Sequence, residues 1–556
     1  MKIKYLNHSG LFLLASVCSA LCIGRPAMAA SPVGDVVGKV TVGYQGWFSC
    51  AGDGSPLNSW GHDNLETWPD VREFTTTFSG CPFWQNGVQQ AGYTGNLGNG
   101  QPAKMFSSDN QQVANTHCLW MQQNGIDTIA LQRFGSYTSA GNTKNFHDAV
   151  DLKMMNGAQT YGRKFFIMYD CTATDPVVND WNNTIVAAQH LTSSSAYAKQ
   201  NGKPVVCLWG VGKSGRGATA DWVNTINAFK NMGCYVIGGP LAGFASDTAN
   251  FPAYNACNMI MAWEVGKTSA TDFQSLYAND LAYCNAHGLD YQACTYPGTA
   301  FYNSNGGNVS PKNQIPRMHG DFMWKQFAGA KLAGVQSLYV AMFDEANEAT
   351  SIFKCAEDSS MIPAGKYFLT LDADGVHVSS DFYLRLVNDG GKMIKGITGY
   401  QATEPTPFVV SGLANGTYKL IVRHSGLALD VDHQSTTNGS PVEQWTYNGG
   451  SNQRWNITSL GGTIYSIVGV QSGRTLEVPG SSTANGMLLD IWDSNNGANQ
   501  KWNITPTDSG YYSVINVNSG LAMEVFGGVG ATTNGAAVDQ WHYGSGFNQQ
   551  WSFQAP

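Results

Sequence analysis

Between residues 30 and 400 the chain alternates short apolar runs with longer amphipathic stretches. The runs occupy 40–48, 126–134, 164–171, 204–212, 234–241, 259–266, 290–298 and 337–344, eight in all. A strand buried on both faces reads as a continuous apolar run rather than as an alternation. Helical patterns such as 221–232 and 320–332 lie between the runs, and Gly125, Gly233 and Gly334 stand where a helix would stop before the next strand. Eight β/α units over roughly 370 residues predict a (β/α)8 TIM barrel carrying insertions. The stretch 49–110, rich in Gly, Asn and Trp, is the first insertion. A doubly wound open sheet is the alternative, but eight strands and the lack of a GxGxxG phosphate loop weigh against it.

Beyond residue 412 the pattern changes to short alternating strands separated by Gly, Asn and Ser turns, an all-β unit. It repeats three times. An acid recurs at Asp430, Glu477 and Glu524, an internal tryptophan at Trp445, Trp492 and Trp541, and a closing Asn-Gln-x-Trp ends at Trp455, Trp502 and Trp551. These QxW repeats resemble the ricin B-type β-trefoil over about residues 412–556. The resemblance implies that Trp455, Trp502 and Trp551 are core. It implies three sugar pockets: Asp430, Trp445 and Asn452; Glu477, Trp492 and Asn499; Glu524, Trp541 and Asn548. In such a pocket an aromatic face stacks on sugar C–H groups while a carboxylate and an amide fix hydroxyls. The sequence departs from the family where Glu replaces Asp at 477 and 524. Glu443, Asp490 and Asp539 stand where Gln is usual.

Composition narrows the field. Charged residues are only 13% of the chain, about half the usual share, and the net charge is −8 with no Lys/Arg block. Nucleic acid and anionic membrane are therefore not expected as partners. Lys2 and Lys4, an apolar stretch over 11–22 and Ala27-Met28-Ala29 read as a signal peptide, so an extracellular or periplasmic protein is expected. Ten of the twelve cysteines follow that segment, all before residue 356. In an exported chain this predicts disulfides, with Cys50–Cys81 the best single pairing and buried free thiols the alternative. No His/Cys cluster has zinc spacing, and neither metal nor cofactor is expected. The expected organisation is a signal peptide at 1–29, the barrel at 30–398, a linker at 399–411 containing Glu404-Pro-Thr-Pro407, and the trefoil at 412–556, with the chain a monomer.

In a barrel, chemistry sits where strands end. Those ends supply Tyr44 and Trp47, Gln132 and Arg133, Asp170, Trp209, Glu264, Tyr296, and finally Asp344, Glu345 and Glu348. Aromatics and carboxylates converging on one face suit glycoside hydrolysis: platforms for sugar rings, and acids that exchange protons with the glycosidic oxygen. The acids at 344, 345 and 348 are close enough to raise one another's proton affinity. A solvated acidic loop or a helix N-terminus attracting acids is the plainer alternative. His62, His117 and His319 have no triad or metal spacing and read as structural.

The stretch from Val340 to Phe353 resembles the strand-eight motif of glycoside hydrolase families 71 and 99, Phe-Asn-Glu-x-x-Glu-Gly-Thr. Tyr44-Gln-Gly-Trp-Phe48, Leu131-Gln-Arg-Phe134, Met168-Tyr-Asp170 and Asn313-Gln-Ile-Pro-Arg317 are similar to a bacterial branch of that group, often labelled xylosidase/arabinosidase. The resemblance extends to about Gly396. It implies that Glu345 assists the substrate's own 2-hydroxyl as it attacks the anomeric carbon. Glu348 then protonates the leaving oxygen and later activates water. It further implies α-linked substrates cleaved internally. Here Asp344 replaces Asn, Ala346 and Asn347 replace bulkier residues, and Ala349 replaces Gly.

The reading is a secreted polysaccharide hydrolase with Glu345 and Glu348 catalytic. Tyr44, Trp47, Arg133, Asp170, Trp209, Glu264, Tyr296 and Asp344 contact substrate in this reading, and the trefoil anchors the polymer. Core positions are the alternative for Tyr44, Trp47, Trp209 and Tyr296, a structural pairing with one of the acids for Arg133, and a pairing with Arg133 for Glu264. Two alternatives stay open: a carbohydrate-binding protein whose barrel does not catalyse, and a glycosidase in which Asp170 or Glu264 supplies one acid.

Overall fold

A computed structural model describes residues 31–61, 64–408, 413–461, 463–507, 511–544 and 546–556. The expected signal peptide, His62 and residues 409–411 of the expected linker lie outside them.

Eight parallel strands form the barrel wall: β1 (Val40–Tyr44), β2 (Thr128–Phe134), β3 (Lys164–Asp170), β4 (Lys203–Trp209), β5 (Tyr235–Gly239), β6 (Met259–Ile260), β7 (Asp290–Tyr291 and Ala293–Thr295) and β8 (Leu338–Val340), with the short stretch Lys199–Gln200 pairing antiparallel to β4. Each lies within one of the eight apolar runs or starts one residue ahead of it. The break in β7 at Gln292 closes the barrel. Its first half pairs with β6 and its second with β8, while β8 pairs with β1 and β1 with β2.

A helix follows every strand: α1 (Gln111–Gln123), α2 (Asn142–Thr160), α3 (Val177–Asp180, running on into a π-type turn Trp181–Ala188), α4 (Thr219–Asn231), α5 (Phe251–Ala256), α6 (Phe273–His287), α7 (Asp321–Ala333) and α8 (Phe382–Ile394). Their caps follow the sequence. The Asn110 side chain accepts from Gln112 N–H at the start of α1, and Gly288 and Gly334 end α6 and α7 in the left-handed region. Inside the barrel the Tyr339 hydroxyl meets the sulfurs of Met168 and Met342, each at 3.3 Å. Gly43 is required beside them, because a Cβ there would overlap both Met342 and the Tyr339 hydroxyl.

The insertion 49–110 folds back over the barrel mouth. The amides of Glu66 and Thr67 donate to the Ala346 carbonyl at 2.9 and 3.1 Å, inside the acidic loop after β8.

The C-terminal unit is an antiparallel β-trefoil of three repeats. Trp455, Trp502 and Trp551 are fully buried, and each indole N–H donates to a carbonyl of its own repeat: Leu429, Leu476 and Met523. One structural expectation needs correction. The ten cysteines of the described residues are buried free thiols, Cys50 and Cys81 included. The Cys50 thiol donates to the Phe106 carbonyl and that of Cys81 to Pro82. The others lie in strands, helices and core loops, as small apolar residues do.

Candidate active site

The loop after β8 holds the three acids, and the fold treats them differently. Asp344 accepts the backbone N–H groups of Gln45 and Gly46, both at 2.8 Å. Its two oxygens thus staple the end of β8 to the turn after β1. Glu345 receives the Gln45 side-chain amide on one oxygen and the Thr350 hydroxyl on the other, the latter at 2.7 Å. Its carboxyl is pushed up to about 8, chiefly by burial and then by the charge of Glu348. Glu348 is half-buried, and burial raises its proton affinity as well. Its carboxylate makes no hydrogen bond to a described residue, so it is the acid left open to a ligand. The pair titrates as a unit.

Three neighbours fix this loop. The Glu348 carbonyl accepts from Ala300 N–H at 3.0 Å and from the Thr299 hydroxyl at 2.7 Å, both beyond β7. Arg317, buried against the Tyr383 ring, donates to the carbonyls of Ala349 and Ser351 at 2.9 and 2.7 Å. Ala349 sits at φ 53°, in the left-handed region that favours glycine, which gives a backbone reason for the glycine of the similar motif.

Asp170, at the end of β3, is ion-paired with Arg216 from the loop after β4. Trp209 lies beside them with Lys213 and Arg216 over its ring at 4.5 and 5.2 Å, and Trp263 meets it edge-on at 5.7 Å. Gly239 lets the Trp209 indole cross β5, since a Cβ there would come within 3.0 Å of the ring. Trp47 is half-buried against Phe134, whose ring continues to Tyr137. These groups sit at the C-terminal strand ends, where Phe134, Asp170 and Trp209 stand in register on successive strands.

Four other expected contacts are corrected. Tyr44 is core: its hydroxyl bonds His117 Nδ1 at 3.0 Å and its ring packs on Phe343. Tyr296 is fully buried and donates to the Lys267 carbonyl. Arg133 points outward, paired with Asp148, Asp151 and Asp180 on α2 and α3. Glu264 is fully buried, and the groups that feel its charge, Asp280, Tyr277 and Tyr291, lie on α6 and β7. Strand alternation explains the last two. When Arg133 points out, Gln132 points in; when Glu264 points out, Trp263 faces Trp209 and Tyr339 inside. Sequence reading missed Trp263, Gln45, Thr350, Lys213 and Arg216. Alternation could have found the first; the rest depend on loop geometry. His117 is structural, buried among aromatic rings and pulled down to about 3.

In the trefoil, the platforms Trp445, Trp492 and Trp541 are exposed. Each backs onto a left-handed glycine of a neighbouring repeat, respectively Gly535, Gly439 and Gly486. Asp430 accepts from Asn452 at 2.7 Å. The longer Glu477 and Glu524 reach both the Asn and the Gln of the closing motif: Asn499 and Gln500 at 3.4 and 2.6 Å, Asn548 and Gln549 at 3.2 and 2.6 Å.

Residues 407–492, 458–541 and 498–555 match the family described as ricin-type beta-trefoil lectin domain-like. No curated protein matches the chain. Among solved structures, the designed three-fold symmetric protein ThreeFoil is 39% identical, over 26% of this chain and 100% of its own, with a TM-score of 0.25. An exo-beta-1,3-galactanase from Clostridium thermocellum is 32% identical over 28% of this chain and 33% of its own, TM-score 0.25. The GH99 endo-alpha-mannosidase of Bacteroides thetaiotaomicron aligns with 65% of this chain and 98% of its own, at 13% identity and a TM-score of 0.49.

Proposed function

We propose that the protein is a secreted glycoside hydrolase that cleaves internal α-linkages of a polysaccharide, held on polymer by its trefoil. The observation that carries this reading is the division of labour between Glu345 and Glu348. Glu345 is buried and held by two donors, with a proton affinity near neutrality, which suits a base that must act without moving. The Glu348 carboxylate has no hydrogen-bond partner among the described residues and a raised proton affinity, which suits an acid that gives its proton to a leaving oxygen and then takes one from water. Trp47, Trp209 and Trp263 supply aromatic surface for sugar rings, and the Asp170–Arg216 pair supplies hydrogen-bonding groups beside them. The α-configuration and internal cleavage rest on the resemblance of the acidic loop to families 71 and 99. The test is a hydrolysis screen on α-mannan, α-glucans, xylan and arabinan, read by reducing ends and product size. Early release of mid-length oligosaccharides from an α-linked polymer is expected; cleavage of none of the four overturns the reading.

A further inference from the structure

The trefoil carries one arrangement three times that binding of a neutral sugar leaves unexplained. On adjacent antiparallel strands Asp430 stands opposite Glu443, Glu477 opposite Asp490, and Glu524 opposite Asp539. Side chains so placed are cross-strand neighbours, and like charges there repel. Alternation turns both members of each pair away from the core, onto the strand face that also carries the pocket tryptophan two residues further on. These are six of the nine acidic residues in 413–556.

Among the described residues, no Lys, Arg or His forms an ion pair with any of the six, and burial followed by the facing glutamate pushes Asp490 and Asp539 each up to about 7. The partners of the first acid in each pair are neutral amides. Asp539 is fully buried, yet neither of its carboxylate oxygens has a hydrogen-bond partner, and one oxygen of Asp490 is in the same state. An unpartnered buried carboxylate is costly, and the second and third repeats each carry one.

We propose that the three pockets bind sugars bearing a free ammonium group, the 2-amino-2-deoxyhexose residues of a de-N-acetylated polysaccharide. The inference rests on the sugar-binding reading of the trefoil and specifies its ligand. An ammonium group brings a full positive charge and three N–H donors, so one group can bridge both carboxylates of a pair. A neutral hydroxyl has one O–H and leaves the second carboxylate unpaired. The exposed indole beside each pair stacks on the C–H face of the ring and also favours a nearby cation. Three such pockets multiply a weak single-site affinity on a polymer. The polymer that anchors the protein then differs in chemistry from a neutral polymer cleaved in the barrel.

The test is calorimetric titration of the full chain at pH 6 with a glucosamine hexamer, the N-acetylglucosamine hexamer and xylohexaose. Expected is at least tenfold tighter binding of the glucosamine hexamer, weakening with added salt. The combined Glu443→Gln, Asp490→Asn, Asp539→Asn variant is expected to lose that preference while still binding neutral oligomers; Asp539→Asn alone, with its melting temperature checked, covers a failure of the triple variant to fold. Equal or tighter binding of a neutral hexamer by the wild-type protein overturns the ammonium assignment and leaves the lectin reading standing. Binding of none of the three overturns both.

Discussion

Gln45, one residue beyond β1, donates its side-chain amide to Glu345, just beyond β8, across the seam where the barrel closes. The two residues are 300 positions apart in sequence and adjacent because β1 and β8 pair in parallel. The bond favours the ionised form of a carboxyl that burial drives toward its neutral form.

Replacing Gln45 by Ala removes that donor and raises the proton affinity of Glu345 further. The acid-side limb of the kcat/KM profile is expected to move to higher pH, with kcat down about tenfold to a hundredfold and KM little changed. A pH–rate profile of the variant checks this; an unmoved limb contradicts the role given to Gln45.

Glu264 makes a separate pH prediction. Burial raises it from 4.5 to about 8 in the folded protein, so between these values the folded state holds a proton that the unfolded chain has lost. Its contribution to stability is fully present below about pH 4.5 and disappears as pH rises through about 8. Glu264→Gln removes this titration. Melting curves at pH 5 and pH 8 are expected to show the variant gaining on the wild type at the higher pH, by an amount on the order of 2 kcal/mol.

Arg133 is bound by three aspartates on two helices and is 1% exposed. Arg133→Met strands those acids, and denaturant unfolding is expected to show a loss of about 3 to 5 kcal/mol. Any activity of the variant that still folds should keep its KM, because the side chain points away from the barrel mouth.

Ala349 occupies a left-handed backbone conformation. Ala349→Gly relieves about 1 kcal/mol of backbone strain at the expense of one buried methyl. The melting temperature is expected to hold or rise, and a clear fall contradicts the strain.

The eight strands could be read from sequence because strands buried on both faces leave unbroken apolar runs, and the trefoil because its signature repeats three times. Which face each side chain takes was less legible. Arg133 and Glu264 lie near strand ends, where site residues are expected, yet each sits at an outward position, one residue from the inward Gln132 and Trp263. Tyr44 and Tyr296 have the composition of sugar platforms, but their hydroxyls find partners within the core. Glu345 and Glu348 were legible as a motif. Their positioning by Gln45, Thr350 and Arg317 depends on barrel closure and on loops that carry no periodic signal.

The most direct test is the rate of Glu345→Gln and Glu348→Gln against the wild-type protein on whichever polymer the wild type cleaves, with folding verified by melting temperature. Each substitution is expected to lower kcat at least about a hundredfold while oligosaccharide binding by the trefoil persists. Retention of near wild-type turnover by either variant would contradict the assignment of this pair as the catalytic acids.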